Sequence, residues 1–257
     1  MENYNKMAIL LNRPEKVADD HFMMKIKVPG VTFIPGQFIN IRVSPGTDPL
    51  LRRPFSIFDA EGDVATVIIR VIGKGTELLS RMEPGEINIT GPSGNGFTME
   101  DNKNLLLVGG GVGNAPLFYL MKELKKRGNR VTYIYCARSS SYIFCPEMFE
   151  KTADEFIITT DDGSAGVKGL ATDVMKDKIS SGEFDRVYCC GPDPMMEKTS
   201  SMVNKNTEVE VSVENYFGCG VGLCVGCTVD TVDGYRRACV DGPVFDGRKI
   251  LWENMPE

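Results

Sequence analysis

From the start of the chain to about Gly96, apolar residues come in short runs divided by turn residues. These runs are MAILLN (7–12), FMMKIKV (22–28), GQFINIRV (36–43), RRPFSIF (52–58), ATVIIRVI (65–72) and EINITGP (86–92). Six short β-rich segments at near-regular spacing predict a small six-stranded antiparallel barrel. After GPSGNGF (91–97) the texture changes. The runs NLLLVGG (104–110), RVTYIYCA (130–137), EFIITTDD (155–162), RVYCCGP (186–192) and VEVSVEN (209–215) are apolar and separated by stretches of helical character. Strand alternating with helix predicts a Rossmann-like parallel sheet covered on both faces. From about Asn215 the chain is rich in glycine and cysteine and weakly periodic, as expected where a bound group supplies cohesion. The predicted organisation is a barrel over 1–98, an α/β domain over 99–214 and a small lobe over 215–257.

Composition narrows the chemistry. At 257 residues the chain can bury sizeable cores without disulfides, and two or more domains are the natural prior. It opens MENYNKMAILLNRPE, with no basic segment leading into an apolar run, so reduced thiols and a cytoplasmic location are expected. No apolar stretch is long enough to span a bilayer. A net charge of -6 gives no electrostatic reason to bind nucleic acid or an anionic membrane. The basic run Lys122 to Arg127 reads as the solvated face of a helix. The single histidine, His21, excludes any mechanism that needs a histidine pair, and reads as structural.

Two segments carry phosphate-binding logic. NLLLVGGGVGNAPLFYLMKELKKRG reads as a strand, a glycine turn (Gly109, Gly110, Gly111, Gly113) and a helix starting near Pro116, whose free N–H groups suit a pyrophosphate. Asn114 stands where the dinucleotide fingerprint has its third glycine, and the next strand ends in Arg138-Ser139-Ser140 where an acidic ribose ligand is expected. Those residues suit a 2'-phosphate, so NAD and NADP both stay open on chemistry. RVYCCGPDPMMEKTSSM repeats the pattern: Gly191 and Pro192 put Cys190 at the carboxyl end of a strand, within reach of a nicotinamide. Cys136, Cys145 and Cys189 read as small buried hydrophobes.

In LLRRPFSIFD, Arg53, Pro54, Phe55 and Ser56 stand together, and Arg70 follows in VIIRVIGKGTELL. Guanidinium groups neutralise a pyrophosphate, an aromatic packs on a ring and a hydroxyl bonds its edge, which is what a flavin nucleotide needs. Thr76 is expected to cap the helix ELLSRM, with Gly75 and Thr76 offering N–H groups to phosphate. The most specific signal is C-x4-C-x2-C-x11-C, formed by Cys219, Cys224, Cys227 and Cys239. This is the spacing that ligates a plant-type 2Fe-2S cluster. Structural zinc is the alternative, although zinc favours two short knuckles and the last cysteine here stands alone. A Rieske centre needs two histidines.

Taken together, PGQF, PLLRRPFSI, GPSGNGF, LLVGGGVGNAPL, CGPDPMM, GCGVGLCVGCTV and CVDGPVF resemble, in order and over most of the chain, the ferredoxin-NADP reductase superfamily. Within it they resemble the electron transfer subunits of class B dihydroorotate dehydrogenases. The resemblance implies a flavin barrel, an NAD-binding domain and a terminal 2Fe-2S lobe. It implies FAD at Arg53 to Ser56, at Ile68, Ile69 and Arg70, and at Gly75 and Thr76, with the cluster on the four cysteines. It departs from the family pattern at Phe55, Ile69 and Asn114. It also implies NAD as the nucleotide and an FMN-containing catalytic partner in a heterotetramer of two copies of each. The same architecture serving a ferredoxin or sulfide oxidoreductase is the enzymatic alternative; a zinc-stabilised nucleotide-binding module is the non-enzymatic one.

Overall fold

The computed structural model describes residues 5–180 and 184–255; the ends of the predicted first and last domains, and residues 181–183 of the predicted α/β domain, lie outside the described residues. The first half contains β1 (Asn5–Leu10), β2 (Glu15–Ala18), β3 (His21–Lys27), β4 (Phe38–Ile41), β5 (Arg53–Glu61), β6 (Val64–Arg70), α1 (Lys74–Ser80) and β7 (Gly85–Ser93). Neighbouring strands run in the order β1-β7-β4-β5-β6-β3, and β1 also pairs with β3. The ladder therefore closes on itself as the expected six-stranded antiparallel barrel, and closure leaves no unpaired edge among those strands. Strand β2 is a short flap paired to β3. Alternation fills the interior: Ile39, Ile41, Ile57, Val67 and Ile69 are each fully buried.

The second half alternates β8 (Asn104–Gly110), α2 (Asn114–Lys126), β9 (Arg130–Ala137), α3 (Pro146–Thr152), β10 (Glu155–Thr160), β11 (Val167–Lys168), α4 (Ala171–Ser180), β12 (Arg186–Cys190), α5 (Asp193–Met202) and β13 (Glu208–Ser212). Strands β10, β9, β8, β12 and β13 lie side by side and parallel. Chain order reverses beside β8, with β9 and β10 on one side and β12 and β13 on the other. Such a reversal opens a crevice at the carboxyl ends of the strands, where open α/β sheets take ligands. Residues Leu105 to Val108 are fully buried in the centre of this sheet.

Beyond β13 the chain makes the cysteine loop, the hairpin β14 (Thr228–Thr231) and β15 (Gly234–Arg237), and β16 (Val244–Asp246). Strand β16 pairs antiparallel with β13, so the C-terminal segment supplies the edge of the α/β sheet.

Two expectations change. Helix α2 begins at Asn114, two residues before the expected start at Pro116, because Gly111–Gly113 form a 3-10 turn that leads into it. The Asn114 amide ties the junction by donating to the Gly111 carbonyl at 2.8 Å. The run Lys122 to Arg127 is not simply a solvated face, since Lys122 forms a mostly buried ion pair with Asp59 of β5. Together with the Tyr119 hydroxyl, which donates to the Phe33 carbonyl at 3.0 Å, this pair fastens α2 to the barrel. Among the described residues no helix is long and apolar enough to cross a membrane.

Candidate functional site

Between barrel and sheet lies a cavity of about 490 Å³, lined by His21, Arg70, Gly110, Gly111, Arg138, Tyr142, Asp161, Pro192 and Lys198 among others. Its floor is the switch point of the sheet. There the two predicted glycine turns pack on each other: a Cβ on Gly113 would fall 2.5 Å from the Cys190 carbonyl oxygen, and one on Gly110 would sit 3.0 Å from Pro192. Gly109 is needed for Asn114, whose Oδ1 would lie 2.1 Å from an added Cβ. Asn114 is fully buried and accepts from the Tyr133 hydroxyl at 3.1 Å, so it replaces the missing glycine as a structural bracket. Gly111 alone in the turn has open space beside it, at φ +55°, and it faces the cleft.

Of the flavin-type residues Arg70 lines this cavity, and the others stand on β5, β6 and α1. On β5, Phe55 points into the barrel core, while Pro54 and Ser56 alternate outward and are half-buried. Ile69 also fills the barrel core, and Ile68 packs against the neighbouring core beneath the α/β sheet. The side chains of Phe55, Ile68 and Ile69 are therefore taken up by core packing, against the expectation of an aromatic ring at Phe55 free to pack on a ligand. Arg53 lies across the first turn of α1: a Cβ on Gly75 would be 2.7 Å from its Nε. Thr76 is not the cap residue of α1, which is Gly73; from the third helical position its hydroxyl accepts from Ile72 N at 3.0 Å and Gly73 N at 3.3 Å. A guanidinium over first-turn amides that lack intrahelical acceptors is a cradle for a phosphate. In the cavity wall, the buried Nε of Arg70 has no hydrogen-bond partner among the described residues, and its guanidinium lies 5.7 Å from the centre of the Tyr142 ring. An orphaned cationic donor at the cleft fits an anionic nucleotide.

Cys190 sits at the end of β12 as expected, but its thiol is 2 % exposed and faces the core. Burial, with Glu214 and Cys189 nearby, pushes that thiol well above its ordinary pKa, so it stays protonated. Two residues that the sequence reading did not single out share this region. The pKa of Glu214 is raised by burial of its carboxylate and by Asp193, against the pull of Arg70, although the residue as a whole is exposed. Asp161 lines the cavity at the end of β10, one strand further out than the place searched for an acidic ribose ligand.

The four cysteines are interlinked: Cys219 interacts with Cys224, and Cys239 with both Cys227 and Cys219. Among the described residues no three His, Cys, Asp or Glu side chains converge as a single metal ion requires. Four interacting cysteines in the plant-type spacing suit a two-iron centre. The loop is also preset for an anionic sulfur. Burial resists ionisation of Cys219, yet the amides of Val221 (3.5 Å), Cys224 (3.4 Å) and Leu223 (3.3 Å) all point at its Sγ and bring the thiol down to about 6. Cys224 is exposed, whereas Cys227 and Cys239 are buried, and the burial of Cys239 beside Cys227 holds its thiol up at about 12.

Residues 214–251 match the iron-sulfur cluster binding domain of dihydroorotate dehydrogenase B, and residues 107–201 match an oxidoreductase NAD-binding domain. The dihydroorotate dehydrogenase B (NAD(+)) electron transfer subunit of Desulforamulus reducens is 38% identical over 92% of this chain and 95% of the relative. That of Caldanaerobacter subterraneus is 39% identical over 96% of this chain and 98% of the relative. The chain belongs to this family of electron transfer subunits. It is an oxidoreductase component whose cofactors are FAD, a 2Fe-2S cluster and NAD. A solved structure described as NADH-dependent reduced ferredoxin-NADP oxidoreductase superposes with a TM-score of 0.86 at 34% identity, covering 95% of this chain and 90% of that one. Phthalate dioxygenase reductase, at 17% identity and a TM-score of 0.64, shares the fold. The zinc module is set aside by the family.

Proposed function

We propose that this chain accepts electrons from an FMN-containing dihydroorotate dehydrogenase catalytic subunit and delivers them to NAD+, in a cytoplasmic heterotetramer of two copies of each subunit. When bound, the 2Fe-2S cluster and FAD convert single-electron steps arriving from the partner into the two-electron hydride that NAD+ requires.

The observation that carries this reading is the presence in one chain of an anion cradle, a nucleotide cleft and a four-cysteine loop whose buried cysteines share a core with the α/β sheet. Arg53, with Gly75 and Thr76 at the start of α1, holds the flavin pyrophosphate, and Arg70 supplies a second cation. Pro54 and Ser56, with the backbone at Phe55, Ile68 and Ile69, bound the ring system. Gly111 admits the dinucleotide over the switch point, while Gly109, Gly110 and Gly113 shape the turn beneath it. Gly191 and Pro192 bring the end of β12 beside that path, and Cys190 remains a neutral thiol behind it. Asp161 hydrogen-bonds the adenosine ribose and so favours NAD over NADP. Cys219, Cys224, Cys227 and Cys239 hold the cluster, with Cys224 on the face turned to the partner. These roles divide the chain at about residues 98 and 214.

Co-expression with the catalytic subunit is the test. Dihydroorotate-dependent NADH formation should require both chains, and NADH formation by the catalytic subunit alone would overturn the assignment.

A further inference from the structure

Strand β4 reads FINI, and all four residues are buried. Ile39 and Ile41 fill the barrel core. Phe38 and Asn40 point the other way, yet are 2 % and 1 % exposed because the C-terminal lobe covers them. Phe38 stacks on Phe217, with ring centres 4.7 Å apart. Beside it, Asn40 meets the cysteine loop so closely that a Cβ on Gly220 would fall 2.4 Å from Nδ2, and Gly220 also holds φ +69°. Gly220 follows Cys219 directly. Along its other side β4 pairs with β5, placing Asn40 opposite Pro54 and Ile41 opposite Arg53. One residue thus touches the cysteine loop from the strand beside the flavin-type motif.

The Nδ2 group of Asn40 is buried and has no hydrogen-bond partner among the described residues. Leaving such a donor unmet is costly, so native proteins keep one only where something else satisfies it. Neighbouring loop amides already converge on Cys219 Sγ, and the sulfur-rich anion that four cysteines assemble is an acceptor of that kind.

We propose that Asn40 is the barrel's hydrogen-bond donor to the iron-sulfur centre, and that this bond tunes how readily the centre takes an electron. The inference rests on the cluster reading of the four cysteines. A donor stabilises the more electron-rich form, so its removal makes reduction harder.

The test is an EPR-monitored redox titration of the holoprotein, purified with its catalytic subunit, as wild type, Asn40→Leu and Asn40→Asp. Leucine keeps the volume without the donor, and aspartate replaces a donor with an acceptor. Both variants should keep the cluster signal while its reduction equilibrium moves unfavourably by about tenfold, the scale of one hydrogen bond to a charged group, which is about 59 mV for a one-electron couple. Unchanged midpoints in cluster-loaded variants would overturn the proposal. Should the variants fail to hold a cluster, pulsed EPR of wild type carrying 15N in its asparagine side-chain amides decides: coupling of a nitrogen that is not backbone to the reduced cluster supports the donor, and its absence overturns it. A wild-type complex with no 2Fe-2S signal at all would overturn the cluster reading itself, and this inference with it.

Discussion

The guanidinium of Arg53 lies across Gly75, near enough that a methyl group at position 75 would come within 2.7 Å of Nε. The two residues come from different elements, a barrel strand and the first turn of α1, and only glycine lets them meet. Gly75→Ala should push the guanidinium aside and weaken FAD retention by about tenfold, equivalent to about 1.4 kcal/mol. Flavin absorbance per chain after extensive dialysis measures it, and full retention would show that the cradle is not where the pyrophosphate sits.

Cys224 is the exposed member of the four cysteines. Cys224→Ala should abolish electron exchange with the catalytic subunit while NADH still reduces the flavin within about twofold of the wild-type rate, a split that stopped-flow absorbance resolves. In a folded variant, loss of both activities together would count against separate flavin and cluster sites.

Asp161 stands at the carboxyl end of β10 in the wall of the cleft, with Arg138 nearby. A carboxylate accepts from a ribose 2'-hydroxyl and repels a 2'-phosphate. Asp161→Asn should therefore raise the ratio of kcat/KM for NADPH over NADH by about tenfold, with Arg138 left to meet the phosphate. An unmoved ratio would place nucleotide selection elsewhere.

His21 is the only histidine, which makes its titration separable. Burial lowers its pKa, and Arg70 adds to the effect against the Asp19 carbonyl that its Nδ1 meets at 2.7 Å. The unfolded chain therefore takes up its proton first, near 6.5. Folded-state stability from this group is intact above that pH and falls as pH drops through 6.5 toward the lower folded value. His21→Phe should flatten the dependence of Tm on pH between about 7 and 5, and an unchanged slope would contradict the assignment.

The sequence made the barrel strands legible because alternation and turn residues report burial locally, and β4 through β7 lie where that pattern puts them. The cysteine spacing was legible for the same reason, since four ligands of one centre sit within 21 residues. What stayed hidden depends on register. Alternation in RRPFSIF sets Phe55 and Ile57 on the face opposite Ser56, but that the Phe55 face is the barrel interior follows only from the pairing of β5 with β4 and β6. Asn40 and Gly220 are 180 positions apart, and their contact follows only once the lobe folds back over β4. Asp161 was missed because the acidic ribose ligand was sought after β9, whereas the cleft reaches one strand further to β10. The Lys122 pair with Asp59 likewise looks like surface charge until α2 is laid against the barrel.

The relay itself is tested most directly by the anaerobic visible spectrum of this chain purified with its catalytic subunit, recorded before dihydroorotate, after it, and after NAD+ is added. Flavin and iron-sulfur bands that bleach with dihydroorotate and return with NAD+ are the predicted result. Bands that bleach with NADH but stay unchanged with dihydroorotate would contradict it, leaving a reductase that serves a different partner.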